Sequence, residues 1–85
     1  MSYYVYVLYG DKEDKFYIGY TSDLKRRINE HKANKVHTTL RYSDIKLIFH
    51  EVFICKEDAL RREKYFKTTQ GKRALKIMLK QTLAK

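Results

Sequence analysis

Residues 3–20 read Tyr3-Tyr4-Val5-Tyr6-Val7-Leu8-Tyr9, then Gly10-Asp11-Lys12-Glu13-Asp14, then Lys15-Phe16-Tyr17-Ile18-Gly19-Tyr20. The first and third runs are dense in aromatic and β-branched side chains, which suit a pleated surface, and the polar run between them breaks the chain. This predicts a β-hairpin. Pairing Gly10 with Glu13 sets Tyr6 opposite Tyr17, with Gly19 two residues further along the same face. Directly opposed residues have Cβ atoms about 4.5–5.5 Å apart, so the two phenols could converge on one site. At Gly19 the missing side chain would let a ligand or backbone approach. The plain alternative is a pair of half-buried sheet tyrosines with wet hydroxyls.

Outward from the hairpin, Thr21, Ser22 and Asp23 offer capping oxygens. They precede a helix to about Asn34, with Leu24, Ile28 and His31 at i, i+4 and i+7. Residues 35–45 are polar and irregular, and Lys46 to Phe53 reads as a third strand. Glu57 and Asp58 favour a helix start, which Ala59 to Lys67 continues. Thr68-Thr69-Gln70-Gly71 interrupts, and a last helix is expected from about Lys72 to Leu83. The order ββαβαα predicts an α+β fold, a small three-stranded, mainly antiparallel sheet covered by helices.

At 85 residues the chain is expected to form a single domain, 1–85, with one modest core. No apolar run approaches the roughly 20 residues of a membrane helix, so no membrane partner is expected. The lone Cys55 excludes an internal disulfide framework and cannot by itself hold a structural zinc. A soluble, cytoplasmic protein is the expectation. Nineteen Lys and Arg against ten Asp and Glu give a net charge of +9. That excess is concentrated: residues 1–60 carry a net +1 and residues 61–85 a net +8. Clusters of this kind supply phosphate contacts, so Arg61, Arg62, Lys67, Lys72, Arg73, Lys76 and Lys80 are candidate nucleic-acid contacts. A solvated helix face explains the same charges equally well.

Three further placements call for a reason. Arg27 and His31 are four apart and stack on one helix face beside Leu24 and Ile28. A guanidinium at the core edge suits phosphate, because its fork binds two oxygens at once; an ordinary surface pair is the alternative. Glu63 is the sole acid in the +8 segment and projects from the half-apolar side of its helix. It either pairs with Arg61, Arg62 or Lys67, or holds a divalent cation, a hard ion that prefers oxygen. Lys72, Lys76 and Lys80 form an i, i+4, i+8 ridge opposite Ala74, Ile77 and Met78, with Leu75 between the two faces. His37, His50 and Cys55 lack metal-ligand spacing, and Cys55 reads as a partly buried thiol.

Taken together, these residues resemble the GIY-YIG nuclease family in its small stand-alone form, related to the N-terminal nuclease domain of the excision-repair excinuclease. Tyr4-Val5-Tyr6 stands at the GIY element, with Tyr4 and Val5 in place of glycine and isoleucine. Tyr17-Ile18-Gly19 is a literal YIG. Thr21-Ser22-Asp23-Leu24-Lys25-Arg26-Arg27 is similar to the segment ending in the family's catalytic arginine. His31 matches a histidine one turn later, and Ala59-Leu60-Arg61-Arg62-Glu63-Lys64 resembles the helix that carries a metal-binding glutamate. The resemblance implies a metal-dependent endonuclease acting on DNA, with one Mg²⁺ or Mn²⁺ on Glu63 at the scissile phosphate. It implies that Arg27 neutralises charge on that phosphate. Tyr6, with His31, would orient and deprotonate water, and Tyr17 would help position phosphate or water. A phenol's ordinary pKa is near 10, so a basic Tyr6 requires a nearby cation to lower it. Two readings compete with this one. The first is a nucleic-acid-binding module that has kept this fold without efficient chemistry. The second is an interaction protein whose basic helix docks on an acidic partner.

Overall fold

A computed structural model describes residues 1–33 and 45–84. The elements are β1 (Tyr3–Gly10), β2 (Lys15–Thr21), α1 (Leu24–Lys32), β3 (Ile45–Phe53), α2 (Lys56–Phe66), α3 (Thr69–Met78) and α4 (Lys80–Leu83). The strands form one antiparallel sheet in the order β2-β1-β3, an α+β arrangement as expected. The central strand β1 is paired on both edges and covered by helices on both faces. Val5 to Leu8 are four consecutive buried residues, where a strand with one wet face would alternate. Val5 and Val7 pack with Ile18 against Ala59, Phe66, Leu75 and Leu79 from the later helices. Tyr6 and Leu8 face the other way, onto Ile28 of α1.

The hairpin register differs from the expected one by two residues. Gly10 pairs with Lys15, so Tyr6 lies opposite Gly19 and Tyr17 lies opposite Leu8. The connection is a four-residue loop, Asp11–Asp14. Asp14 takes a positive φ of 53°, a conformation that short polar side chains tolerate. The Tyr9 hydroxyl donates to its carboxylate at 2.6 Å. A shift of two leaves every side chain on its original face, since the strand period is also two. Tyr17 therefore stays beside Tyr6, diagonal to it instead of opposite. On the other edge, Val7 pairs with Phe49 and Leu8 with Leu47, which leaves Ile48 as a bulge.

Asp23 caps α1, its Oδ1 accepting from the Arg26 amide at 3.1 Å. The helix closes at Lys32, two residues before the expected Asn34. Residues 34–44, most of the stretch read as polar and irregular, lie outside the described residues, as does His37. The segment read as an interruption at Thr68–Gly71 is a cap and a first turn. Thr68 Oγ1 accepts from the Gly71 amide at 3.0 Å, and α3 starts at Thr69. A Cβ on Gly71 would collide with the Tyr65 carbonyl and the Phe66 backbone, so glycine is what lets α3 dock on the end of α2. That docking sets the helix phase. Gly71, Leu75 and Leu79 form the buried stripe, whereas Ile77 is 72% and Met78 47% exposed. The reading of Ile77 and Met78 as the face opposite the lysine ridge, packed on the body, is thus corrected. At 100° per residue Ile77 lies about 160° from the centre of the Gly71-Leu75-Leu79 stripe, and Met78, about 60° from it at the end of α3, stays half exposed. A break at Leu79 separates α4 from α3. Cys55 is also corrected, being exposed at the head of α2 with its thiol donating to Glu57 Oε1 at 3.2 Å.

Candidate active site

The α1 face of the sheet gathers Tyr6 from β1, Tyr17 from β2, and Arg27 and His31 from α1. Tyr6 and His31 are each 1% exposed, and the Tyr6 hydroxyl lies 3.0 Å from His31 Nε2. Arg27 Nε donates to the same hydroxyl at 3.4 Å. A guanidinium only donates, so the phenol oxygen accepts from Arg27, and the tautomer of His31 sets whether the phenol donates to Nε2 or accepts from it. Tyr17 stands edge-on to His31 with centroids 4.8 Å apart, and 6.3 Å from the Tyr6 ring. Gly19 explains why Tyr6 reaches this place. A Cβ there would overlap the Tyr6 hydroxyl and ring, so the phenol crosses β2 only where β2 has no side chain.

Burial governs the electrostatics. Desolvation pushes the Tyr6 phenol up to about 12, outweighing the hydrogen bond from Arg27 that acts to lower it. The expectation that a neighbouring cation would lower the phenol is thus not met by Arg27 alone. Burial, followed by the positive charge of Arg27, holds His31 down to about 4, so its ring is neutral at pH 7. The proton therefore rests on Tyr6 in the free protein.

Glu63 approaches from α2, its side chain 19% exposed, and Lys67 Nζ lies 3.1 Å from its Oε2. Its charge is felt at the Tyr6 phenol, as the smallest of the influences that shift it. Among the described residues no three of His, Cys, Asp and Glu cluster closely enough to share a metal ion. Glu63 can therefore give one oxygen to a cation. That suits Mg²⁺, which keeps several waters and commonly takes one or two carboxylates plus substrate phosphate.

The basic residues divide by how they are engaged. Arg62 is committed to structure: it forms a fork to both oxygens of Glu51 at 2.9 and 3.1 Å and stacks 4.3 Å above Phe66. Arg61 pairs with Asp58 at 2.6 Å on the exposed side of α2. Lys72 and Lys76 line a cleft of about 240 Å³ with Lys15, Phe16 and Asp14. Lys76 and Lys80 continue it past Tyr9, and Arg73 is exposed. Two features had little or no signal in the sequence. Glu30 accepts from Arg27 Nη1 at 3.0 Å, and only its i+3 spacing pointed to it. The crossing of Tyr6 over Gly19 had no local signal, because it depends on register.

A three-stranded antiparallel sheet with helices on both faces makes this an α+β domain, with Tyr6 and His31 buried on one face and Arg27 at its half-exposed edge. The model of the GIY-YIG catalytic domain matches residues 2–76, and the chain belongs to the GIY-YIG family. Among its relatives is the UPF0213 protein of Limosilactobacillus reuteri, 38% identical over 80 residues that cover 91% of this chain and 82% of the relative. A UPF0213 protein of Streptococcus pyogenes is 44% identical over 66 residues, 75% of this chain and 70% of the relative. The solution NMR structure of a UPF0213 protein from Bacillus halodurans superposes with a TM-score of 0.58 at 33% identity. It covers 92% of this chain and 85% of that one.

Proposed function

We propose that this protein is a metal-dependent endonuclease that hydrolyses DNA phosphodiester bonds with Tyr6, Tyr17, Arg27 and His31 of the α1 face and Glu63 of α2. The observation that carries the reading is the chain of hydrogen bonds from the half-exposed Arg27 through the buried Tyr6 to the buried His31. Buried polar groups in low dielectric are costly unless they are satisfied, and a perturbed set of this kind marks a functional-site candidate. Arg27 binds the scissile phosphate and offsets the charge that develops on it. The Tyr6 oxygen, with one lone pair taken by Arg27, has a second for the hydrogen of a water. As that water attacks phosphorus, its proton passes to Tyr6 Oη while the phenol proton passes to His31 Nε2. The phenol thus relays a proton without standing as a free phenolate, which suits a group held near 12. Tyr17 walls the site against His31 and positions the phosphate or the water. Glu63 would hold one Mg²⁺ or Mn²⁺, a Lewis acid that would supply charge stabilisation at the scissile phosphate. Lys67, now paired with Glu63, would then be free to contact a backbone phosphate. Lys72, Arg73, Lys76 and Lys80 track the flanking DNA, whereas Arg61 and Arg62 are already paired.

A second reading, a DNA-binding module without cleavage, is favoured by the Lys67 ammonium on the metal-binding carboxylate. One experiment separates the two. Supercoiled plasmid incubated with the protein and Mg²⁺ or Mn²⁺ should be nicked, and Glu63→Ala should leave it intact while still retarding it on a gel. Retardation without nicking by the parent protein in both metals would leave the binding module standing.

A further inference from the structure

We propose that Glu30 is a positioning residue for Arg27: its carboxylate occupies the guanidinium in the free protein and is exchanged for the phosphodiester. The idea rests on the reading of Arg27 as the phosphate-binding group. Arg27 is held at two points, Nε on Tyr6 at 3.4 Å and Nη1 on Glu30 at 3.0 Å. Tyr6 belongs to β1 and Glu30 to the arginine's own helix, so the guanidinium is braced between two elements. A guanidinium has five donors in a rigid fork. Its side-on pair, Nε with Nη2, is half spent on Tyr6. A phosphate taken by two parallel hydrogen bonds must then use the end-on pair, Nη1 with Nη2, and Glu30 stands on Nη1.

The pair is built for exchange. The Arg27 and Glu30 side chains are 34% and 33% exposed. A partly wet i, i+3 pair contributes little stability, and either partner can turn to solvent cheaply. The Arg62–Glu51 pair shows the opposite construction, with two parallel bonds and an aromatic ring beneath. That arginine is locked, and Arg27 is merely parked. An anion that has to leave lowers affinity for every ground-state phosphate. The more highly charged transition state competes for the guanidinium better, so the exchange favours the reacting phosphate over a passing one.

A double-mutant cycle tests this with no metal present and no cleavage required. A fluorescein-labelled DNA duplex is titrated in EDTA over a range of salt with four proteins: parent, Glu30→Gln, Arg27→Ala and the double variant. Glutamine keeps the shape of Glu30 and its accepting oxygen but not its charge. Glu30→Gln should tighten binding by about three- to fivefold, the scale of one exposed ion pair. It should also steepen the salt dependence by about one phosphate contact. In the Arg27→Ala background both gains should vanish. Asp58→Asn, which frees the exposed Arg61, should give a gain indifferent to Arg27. Should Arg27→Ala fail to fold by circular dichroism, Arg27→Gln completes the cycle. Equal gains from Glu30→Gln in both backgrounds would reduce the effect to net charge and overturn the proposal. So would no gain at all, or no binding by any variant at low salt. A plasmid that stays uncut bears on the nuclease reading alone, because the cycle reads binding only.

Discussion

On one face of the sheet Val5, Val7 and Ile18 meet Ala59, Phe66, Leu75 and Leu79, an apolar cluster of hydrocarbons and an aromatic ring. On the opposite face, one residue along the same strand, Tyr6 and Leu8 meet Ile28 together with the buried imidazole of His31. The first face follows the ordinary rule of burial, in which area removed from water is stabilising at about 25 cal/mol per Å². The second departs from it. A buried hydroxyl and a buried imidazole cost free energy unless paired, and here each is the other's partner. The same central strand therefore serves stability with its odd-numbered residues and, on the proposed reading, chemistry with Tyr6. Mutations on the two faces should accordingly be read in different measurements.

The largest expected effect lies on the apolar face. Phe66 is fully buried, and Phe66→Ala should lower the free energy of unfolding by about 3–5 kcal/mol. Urea denaturation measures it. A loss under about 1 kcal/mol would mean that this face is not the main core. The counterpart on the polar face is Arg27→Ala, which should cost about 10²–10³ in cleavage rate, or roughly 3–4 kcal/mol, with unfolding nearly unchanged. Arg26 sharpens the contrast. Its side chain is 70% exposed and reaches only Asp23, at 4.0 Å, so Arg26→Ala should cut at close to the parent rate. Equal rates for the two variants in a folded, active protein would sink the assignment of the site.

A smaller effect follows from the burial of His31. Its ordinary value of 6.5 is lowered to about 4 in the folded protein, chiefly by desolvation. The unfolded chain therefore binds a proton between those values that the folded chain does not, and stability must fall as pH drops through the window. The expected loss from about pH 6.5 to about pH 5 is roughly 1–2 kcal/mol. It should shrink in His31→Gln, measured by urea denaturation at both pH values. A parent protein equally stable at the two would mean that His31 is not buried as a neutral ring.

Much of this was legible in the residues themselves. The hairpin, α1, the third strand and α2 follow from aromatic and β-branched density, capping oxygens and helical spacing, all of which act within a few positions of the chain. Tyr6 and Tyr17 could be placed on one sheet face because an even-numbered period survives a two-residue error in register, and Arg27 and His31 on one helix face by their i, i+4 spacing; only the family resemblance joined the two pairs. What the sequence could not decide was settled by contacts between distant segments. The register turned on a four-residue loop with Asp14 at positive φ, and it put Tyr6 opposite Gly19. The phase of α3 turned on Gly71 seating against the end of α2, which exposed Ile77 and buried Leu75. Arg62 and Lys72 look alike as charges, yet one is spent on Glu51 and the other borders an open cleft. Tyr6 and His31 were recognisable as a candidate pair, but the direction in which each proton affinity moves was not. Charge and periodicity are properties of the chain, whereas desolvation and pairing belong to the neighbours that folding brings together.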